Sequence, residues 1–249
     1  LNNNTSGSKN TAVGNATLKN NTTAINNVAV GNFALNSVTT SGDNTAIGTQ
    51  SLQNNTSFGI VGIGSHSLQN NTSGQGNTSI GTWSSYNNTT GSNNTSIGYE
   101  ALYSNTSGVA SVANGFRSLY NNTTGSYNIG VGPTSLEDNT TGTRNIAIGS
   151  DASANNIIGE YNVSMEVGAL RDNVAGSGSI AIGYQSMMHA NNASSAFTTE
   201  NTAIGYESLM GSSTSANNTG SANTSIGYTS LRNLTSGIGN VSIGKGTMI

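Results

Sequence analysis

The chain has 249 residues, of which 33% are hydrophobic and 7% charged, with a net charge of −3 at neutral pH and no cysteine. Disulfides and thiolate metal sites are therefore excluded, and no apolar run approaches the roughly 20 residues of a membrane-spanning helix. Seven Lys plus Arg against ten acids leave no electrostatic footprint for nucleic acid.

A composition so rich in Gly, Asn, Ser and Thr reads as disordered unless the polar residues recur at fixed intervals. They do recur, around one glycine: Gly14, Gly31, Gly48, Gly64, Gly81, Gly98, Gly115, Gly132, Gly149, Gly183, Gly205, Gly227 and Gly244, with Glu166 in its place once. The spacing is 17 almost throughout, 16 between Gly48 and Gly64, and 22 on either side of Gly205, which makes about fourteen copies of a 17-residue rung.

In chain order, eleven of the fourteen rungs begin with an asparagine: Asn10, Asn27, Asn44, Asn77, Asn94, Asn128, Asn145, Asn162, Asn201, Asn223 and Asn240. These are expected to stack as an amide ladder, each side chain bonding the next. A β-branched, a small and a large apolar residue follow, as in Thr11-Ala12-Val13 or Thr45-Ala46-Ile47, with Asn114 the one break in the large column. Such alternation with period two predicts a short strand, and the glycine then makes a corner. A second large/small pair ends in Leu18, Leu35, Leu52, Leu68, Leu102, Leu119, Leu136, Leu170, Leu209 or Leu231, with Met187 and Met248 as variants and Ser85 and Ser153 as exceptions. It predicts a second strand. Asn-Asn-Thr-Thr/Ser-Gly, as at Asn121 to Gly125, closes the rung with turn chemistry.

The expected fold is all-β: a single continuous parallel β-solenoid (β-roll) over residues 1–249, with longer turns at 188–200 and 210–222. At roughly 4.8 Å per rung it would form a rod on the order of 65 Å long. The Ile and Leu columns are expected to share one apolar stripe. The Ala, Ser and Gly columns would permit close backbone approach within a coil or between chains, and a homotrimeric rod with these columns near the shared axis is the expected assembly. Leu1 and Met248 both fall in the leucine column, so the array has no visible cap and is expected to be a segment of a longer fibre.

Catalytic chemistry is not expected. His66 and His189 lie in different columns many rungs apart, Glu137 and Asp138 form a solvated pair at a turn, and Gly176 to Gly178 lacks the lysine of a phosphate loop. No catalytic residue, metal or cofactor is expected. Candidate ligand-binding residues are aromatic. Tyr86, Tyr103 and Tyr120 share one column; Tyr184, Tyr206 and Tyr228 share another, begun earlier by Tyr99 and Phe116; Trp83 stands one column over, followed by Glu100 and Arg117. Such strips can stack on sugar rings or serve only as stabilising ladders. Phe197 is the one aromatic of the two long turns. Asn54-x-Thr56, Asn70-x-Thr72, Asn87-x-Thr89 and Asn121-x-Thr123, with Ser104-x-Thr106 between, form a regular hydroxyl array of the kind ice-binding solenoids need. Triplets such as Asn121-Asn122-Thr123 also match the N-glycosylation acceptor, though turn preference accounts for them.

Asn-Thr-Ala-Ile-Gly-Tyr-Glu-Ser-Leu at 201–209 and Asn-Thr-Ser-Ile-Gly-Tyr at 223–228 resemble two related repeat families. One is the head of YadA-like trimeric autotransporter adhesins; the other is a set of phage and viral tail-fibre proteins with Asn-Thr-Ala-Ile-Gly-Tyr-x-Ala-Leu repeats. The resemblance spans the whole chain and implies a homotrimeric β-roll on a virion or cell surface that spaces or presents receptor-binding surfaces for host attachment. Host-surface glycans or receptors would be its partners, with no nucleic acid and no membrane insertion in this segment. The period of 17 exceeds that of the adhesin heads, and no neck, stalk or anchor is present, which favours the fibre type over the bacterial adhesin. A purely architectural extracellular filament is the remaining reading.

Overall fold

A computed structural model describes residues 2–190, 193–214 and 217–247. The chain is a parallel β-solenoid of about thirteen turns, spaced by about 17 residues, with no α-helix among the described residues. Leu1 and Met248, expected in the leucine column, lie outside them. Two compact units divide the chain, Leu1–Thr124 and Gly125–Ile249.

In the first unit seven three-residue strands stack in parallel: β1 (Thr11–Val13), β2 (Val28–Val30), β3 (Thr45–Ile47), β4 (Val61–Ile63), β5 (Thr78–Ile80), β6 (Thr95–Ile97) and β7 (Val112–Asn114). The register never slips, because each small residue pairs with the small residue of the next turn, as Ala12 with Ala29 and Ser79 with Ser96. The rung that is one residue short keeps the pairing of Thr45 with Val61. In the second unit the same ladder runs through β8 (Ile129–Val131), β9 (Ile146–Ile148), β10 (Val163–Met165), β12 (Ile180–Ile182), β14 (Thr202–Ile204), β15 (Thr224–Ile226) and β16 (Val241–Ile243). A side pair, β11 (Gly176–Ser177) on β13 (Phe197–Thr198), joins the rung before the first long turn to that turn.

The two expected strands per rung reduce to one. The leucine segment is a turn in which Leu itself is left-handed, with φ of 46° at Leu18, 47° at Leu35 and 55° at Leu102. Left-handed backbone costs an L-residue roughly 1–2 kcal/mol, while full burial of a Leu side chain contributes about 2 kcal/mol. The leucines are fully buried, so burial offsets the strain. Inter-turn hydrogen bonds continue through these turns, as Leu18 N to Ala34 O at 3.1 Å and Leu102 N to Ser118 O at 2.9 Å.

The corner glycines have φ between 126° and 144°. A Cβ on Gly31 would lie 2.3 Å from the carbonyl oxygen of Gly48, and one on Gly98 would lie 2.5 Å from that of Gly115. Side chains are therefore excluded by the turn stacked next to them as well as by φ. Glu166 occupies the corner at φ 92°.

The interior differs from expectation. Leu and the small strand residues share it: Ala29, Ala46, Ser79, Ser96 and Ala113 are fully buried in the first unit, as are Ala147, Ser164, Ala181, Ala203 and Ser225 in the second. The small columns are thus enclosed by the chain's own coil and not placed between chains. A 17-residue turn encloses only one layer of leucine, and the facing strand must then be Ala, Gly or Ser. Buried hydroxyls pair with one another, as Ser84 Oγ with Ser96 Oγ at 2.7 Å and Ser208 Oγ with Ser225 Oγ at 2.7 Å. The Ile/Val column does not join the leucines. It faces outward, with Ile47 40% and Ile148 39% exposed.

The eleven expected ladder asparagines are structural, but they bond differently. From Asn10 to Asn223 the Oδ1 accepts the backbone N–H one turn on, as Asn27 N to Asn10 Oδ1 at 2.9 Å and Asn162 N to Asn145 Oδ1 at 3.0 Å. From Asn10 to Asn223 the Nδ2 donates to a turn carbonyl, as Asn94 to Gly108 O at 2.9 Å and Asn128 to Gly142 O at 2.8 Å. Side-chain-to-side-chain bonds occur in this column at Asn223 to Asn201, 3.2 Å, and Asn240 to Asn223, 3.0 Å; the longer amide ladder forms from the second Asn of the Asn-Asn-Thr turn. Asn71, Asn88, Asn105 and Asn122 each donate to the Oδ1 of the asparagine before, at 2.8, 2.7, 2.7 and 3.0 Å. Asn156 and Asn173 continue the pattern in the second unit at 2.8 and 3.1 Å.

Candidate functional site

The aromatic columns are built by the corner. Residues one, two and five places after the corner glycine leave the coil side by side and repeat each turn. In the first unit Tyr86, Tyr103 and Tyr120 stack with centroids 5.4 and 5.2 Å apart and planes within 12°. Tyr99 stacks on Phe116 at 5.8 Å, and Trp83 meets Tyr99 edge-on at 5.7 Å. His66 lies 6.1 Å from Trp83 and 6.3 Å from Tyr86 and so joins the two columns into one patch. His66, not expected in an aromatic column, carries one signal in the sequence: it stands two places after Gly64, as Trp83 does after Gly81. Arg117 closes the patch, its guanidinium 4.1 Å from the Tyr120 centroid and 3.5 Å from Glu100.

In the second unit Tyr184, Tyr206 and Tyr228 stack at 5.2 and 5.1 Å and are 39%, 41% and 51% exposed. Lys245 lies 5.5 Å from the Tyr228 centroid, and Arg232 bonds Glu207 at 2.5 Å. Tyr99, Tyr103 and Tyr206 are held above the usual phenol range, first by desolvation among the rings and then by neighbouring Glu100, Tyr120 and Glu207. In both columns the stacked rings use part of their faces on each other.

A further aromatic group lies outside the expected columns. Tyr127, Arg144 and Tyr161 share the column just before the strand asparagine, and the Arg144 guanidinium lies 5.4 and 5.3 Å from the two ring centroids. Its Nη1 donates to Tyr161 Oη at 3.0 Å. No single rung carries a motif for it; only alignment of that column shows the alternation.

Phe197 does not stand free. It forms β13 with Thr198, and its ring lies over Gly176, where a Cβ would come within 3.1 Å of Cζ. Around the two long turns a recess is lined by Met187, Leu209 and Leu234 on its apolar side and by Asn173, Asn201 and Thr199 on its polar side. Asn218 of the second turn donates to the backbone carbonyl of His189. His189 Nδ1 in turn meets Asp172 at 2.8 Å, and Arg171 Nε bonds the same carboxylate at 2.9 Å. Burial raises the Asp172 carboxyl, but the hydrogen bonds from Arg171 and His189 outweigh it, and the group lies below the usual carboxylate range.

The threonine array is committed to the fold. Thr56, Thr72, Thr89 and Thr106 donate their hydroxyl protons to the carbonyls of Thr72, Thr89, Thr106 and Thr123 at 2.7, 2.9, 2.8 and 3.1 Å. No group of three or more His, Cys, Asp or Glu placed to hold a metal occurs among the described residues. Comparison with protein-family models, with curated proteins and with solved structures gives no match.

Proposed function

We propose that this chain is a structural and adhesive fibre segment, on a virion as in phage-type tail fibres or on a cell surface, which assembles as a homotrimer and presents aromatic corner surfaces for host attachment. The observation that carries the reading is the outward strand face. Its two columns are apolar or β-branched, and Val28, Ile47, Ile80 and Ile97 in the first unit are 37–40% exposed, as are Ile148, Ile180 and Ile204 in the second at 37–39%. An exposed, largely apolar face that repeats at every turn is an association surface. The partner that keeps step with it over many rungs is another copy with the same spacing, which favours self-assembly. The small columns, enclosed within each coil, no longer supply the interface, so it passes to the Ile/Val face.

Light scattering coupled to size exclusion tests this assembly. Three times the chain mass of 25.2 kDa is the expected result. A well-folded monomer at micromolar concentration would overturn the trimer and remove the main support for a fibre role.

A further inference from the structure

We propose that Tyr127, Arg144 and Tyr161 form a binding subsite for a carboxylate-bearing sugar, the carboxylate meeting the Arg144 guanidinium and the sugar ring resting against a tyrosine. The proposal rests on the attachment reading and gives it a ligand class. Its first support is conformational. All three residues are left-handed, with φ of 60°, 57° and 57°. Elsewhere in this column many turns carry residues suited to that backbone, among them Asn26, Gly59, Gly76, Asn93, Gly178 and Gly239. A bulky side chain there costs about 1 kcal/mol or more. The leucines, strained in the same way, regain that cost by burial; Tyr127 and Tyr161 are 54% exposed and do not. Burial therefore does not offset the backbone strain at this place as it does at the leucines.

The second support is electrostatic. Arg117, Arg171 and Arg232 are each paired with a carboxylate. Arg144 is exposed and has no ion-pair partner among the described residues, Glu160 beside Tyr161 included. It is nevertheless held in place, by Tyr161 Oη at 3.0 Å and by backbone bonds from Arg144 N to Ser126 O and from Tyr161 N to Thr143 O, both 3.1 Å. A planar guanidinium fixed in this way suits the two oxygens of a carboxylate. The neighbouring column residue one turn on is Gly178, which has no side chain to cover Tyr161 from that side. Aromatic faces beside a fixed guanidinium match a pyranose ring that bears an acid group.

The test titrates the full chain by NMR or calorimetry with two matched pairs at up to about 10 mM, where weak sugar affinities are measurable. One pair is trigalacturonate and its methyl ester; the other is sialyllactose and lactose. Expected is binding of at least one acidic member, weakened tenfold or more in its neutral counterpart and in Arg144→Gln, and severalfold in Arg144→Lys, which keeps charge but loses the fork. Tyr161→Ala should weaken it too, with circular dichroism confirming that each variant stays folded. No binding of either acidic probe, equal binding of the neutral ones, or full binding by Arg144→Gln would overturn the site. Light scattering on the same samples reads the fibre proposal separately: a monomer that still binds the acidic sugar overturns the trimer and leaves this site standing.

Discussion

Within the first unit's amide ladder, Val38 stands where the neighbouring turns place Asn21 and Asn55. Asn21 donates to Asn4 Oδ1 at 2.9 Å, but its own buried Oδ1 has no partner, because the fully buried Val38 has nothing to donate. A buried acceptor without a donor costs roughly 1–3 kcal/mol. Val38→Asn supplies that donor and a new acceptor for Asn55, at the loss of about 1.5 kcal/mol of apolar burial. Two or more hydrogen bonds gained, each about 1 kcal/mol, together with relief of the unpaired oxygen, outweigh that loss. Val38→Asn is therefore expected to raise the melting temperature by several degrees in a thermal denaturation scan, and a fall would show that Val38 packing outweighs the ladder.

At the scale of the turn, the corner glycine and the other left-handed glycines do different work. Gly59 has φ 69° and nothing within 4 Å of an added Cβ, whereas Gly98 has φ 133° and the Gly115 oxygen at 2.5 Å. Gly59→Ala is expected to cost about 1 kcal/mol, the backbone term alone. Gly98→Ala should cost at least about 3 kcal/mol, because the stacked turns must also separate. Chemical denaturation of the two variants measures the difference, and equal losses would mean that the turns yield at little cost. Both kinds of glycine look alike in the sequence, and this marks how far the element level was legible. Period, register, strand and corner followed from spacing, since each leaves a column of one residue type. Which face lies inside did not follow. Alternation defines two faces, but only the space around Leu35 or Leu102 decides that alanine and serine fit there and isoleucine does not. Likewise both asparagine columns were visible, yet hydrogen-bond geometry alone assigns the amide ladder to Asn71, Asn88 and Asn105. The Tyr and Trp columns were legible as columns; their joining through His66, and the Tyr127–Arg144–Tyr161 group, depend on side-chain directions that spacing does not carry.

In the proposed trimer, the division between buried leucine and exposed isoleucine separates folding from association. Leu102 is fully buried, and Ile80 and Ile97 are 37% and 38% exposed on the outward strand face. Leu102→Ala removes core packing and is expected to cost 2–5 kcal/mol of unfolding free energy by the usual range for such truncations. Ile80→Asp with Ile97→Asp changes side chains already in contact with water, so the single-chain fold should lose little. The same pair would set carboxylates on the proposed apolar interface in every copy, where burying an unpaired charge costs several kcal/mol per ion. The expected outcome is a folded chain by circular dichroism whose mass by light scattering falls from trimer to monomer. A double variant that remains trimeric would place the interface on another face, and the aromatic corners, which carry further exposed apolar surface, would be the next to substitute.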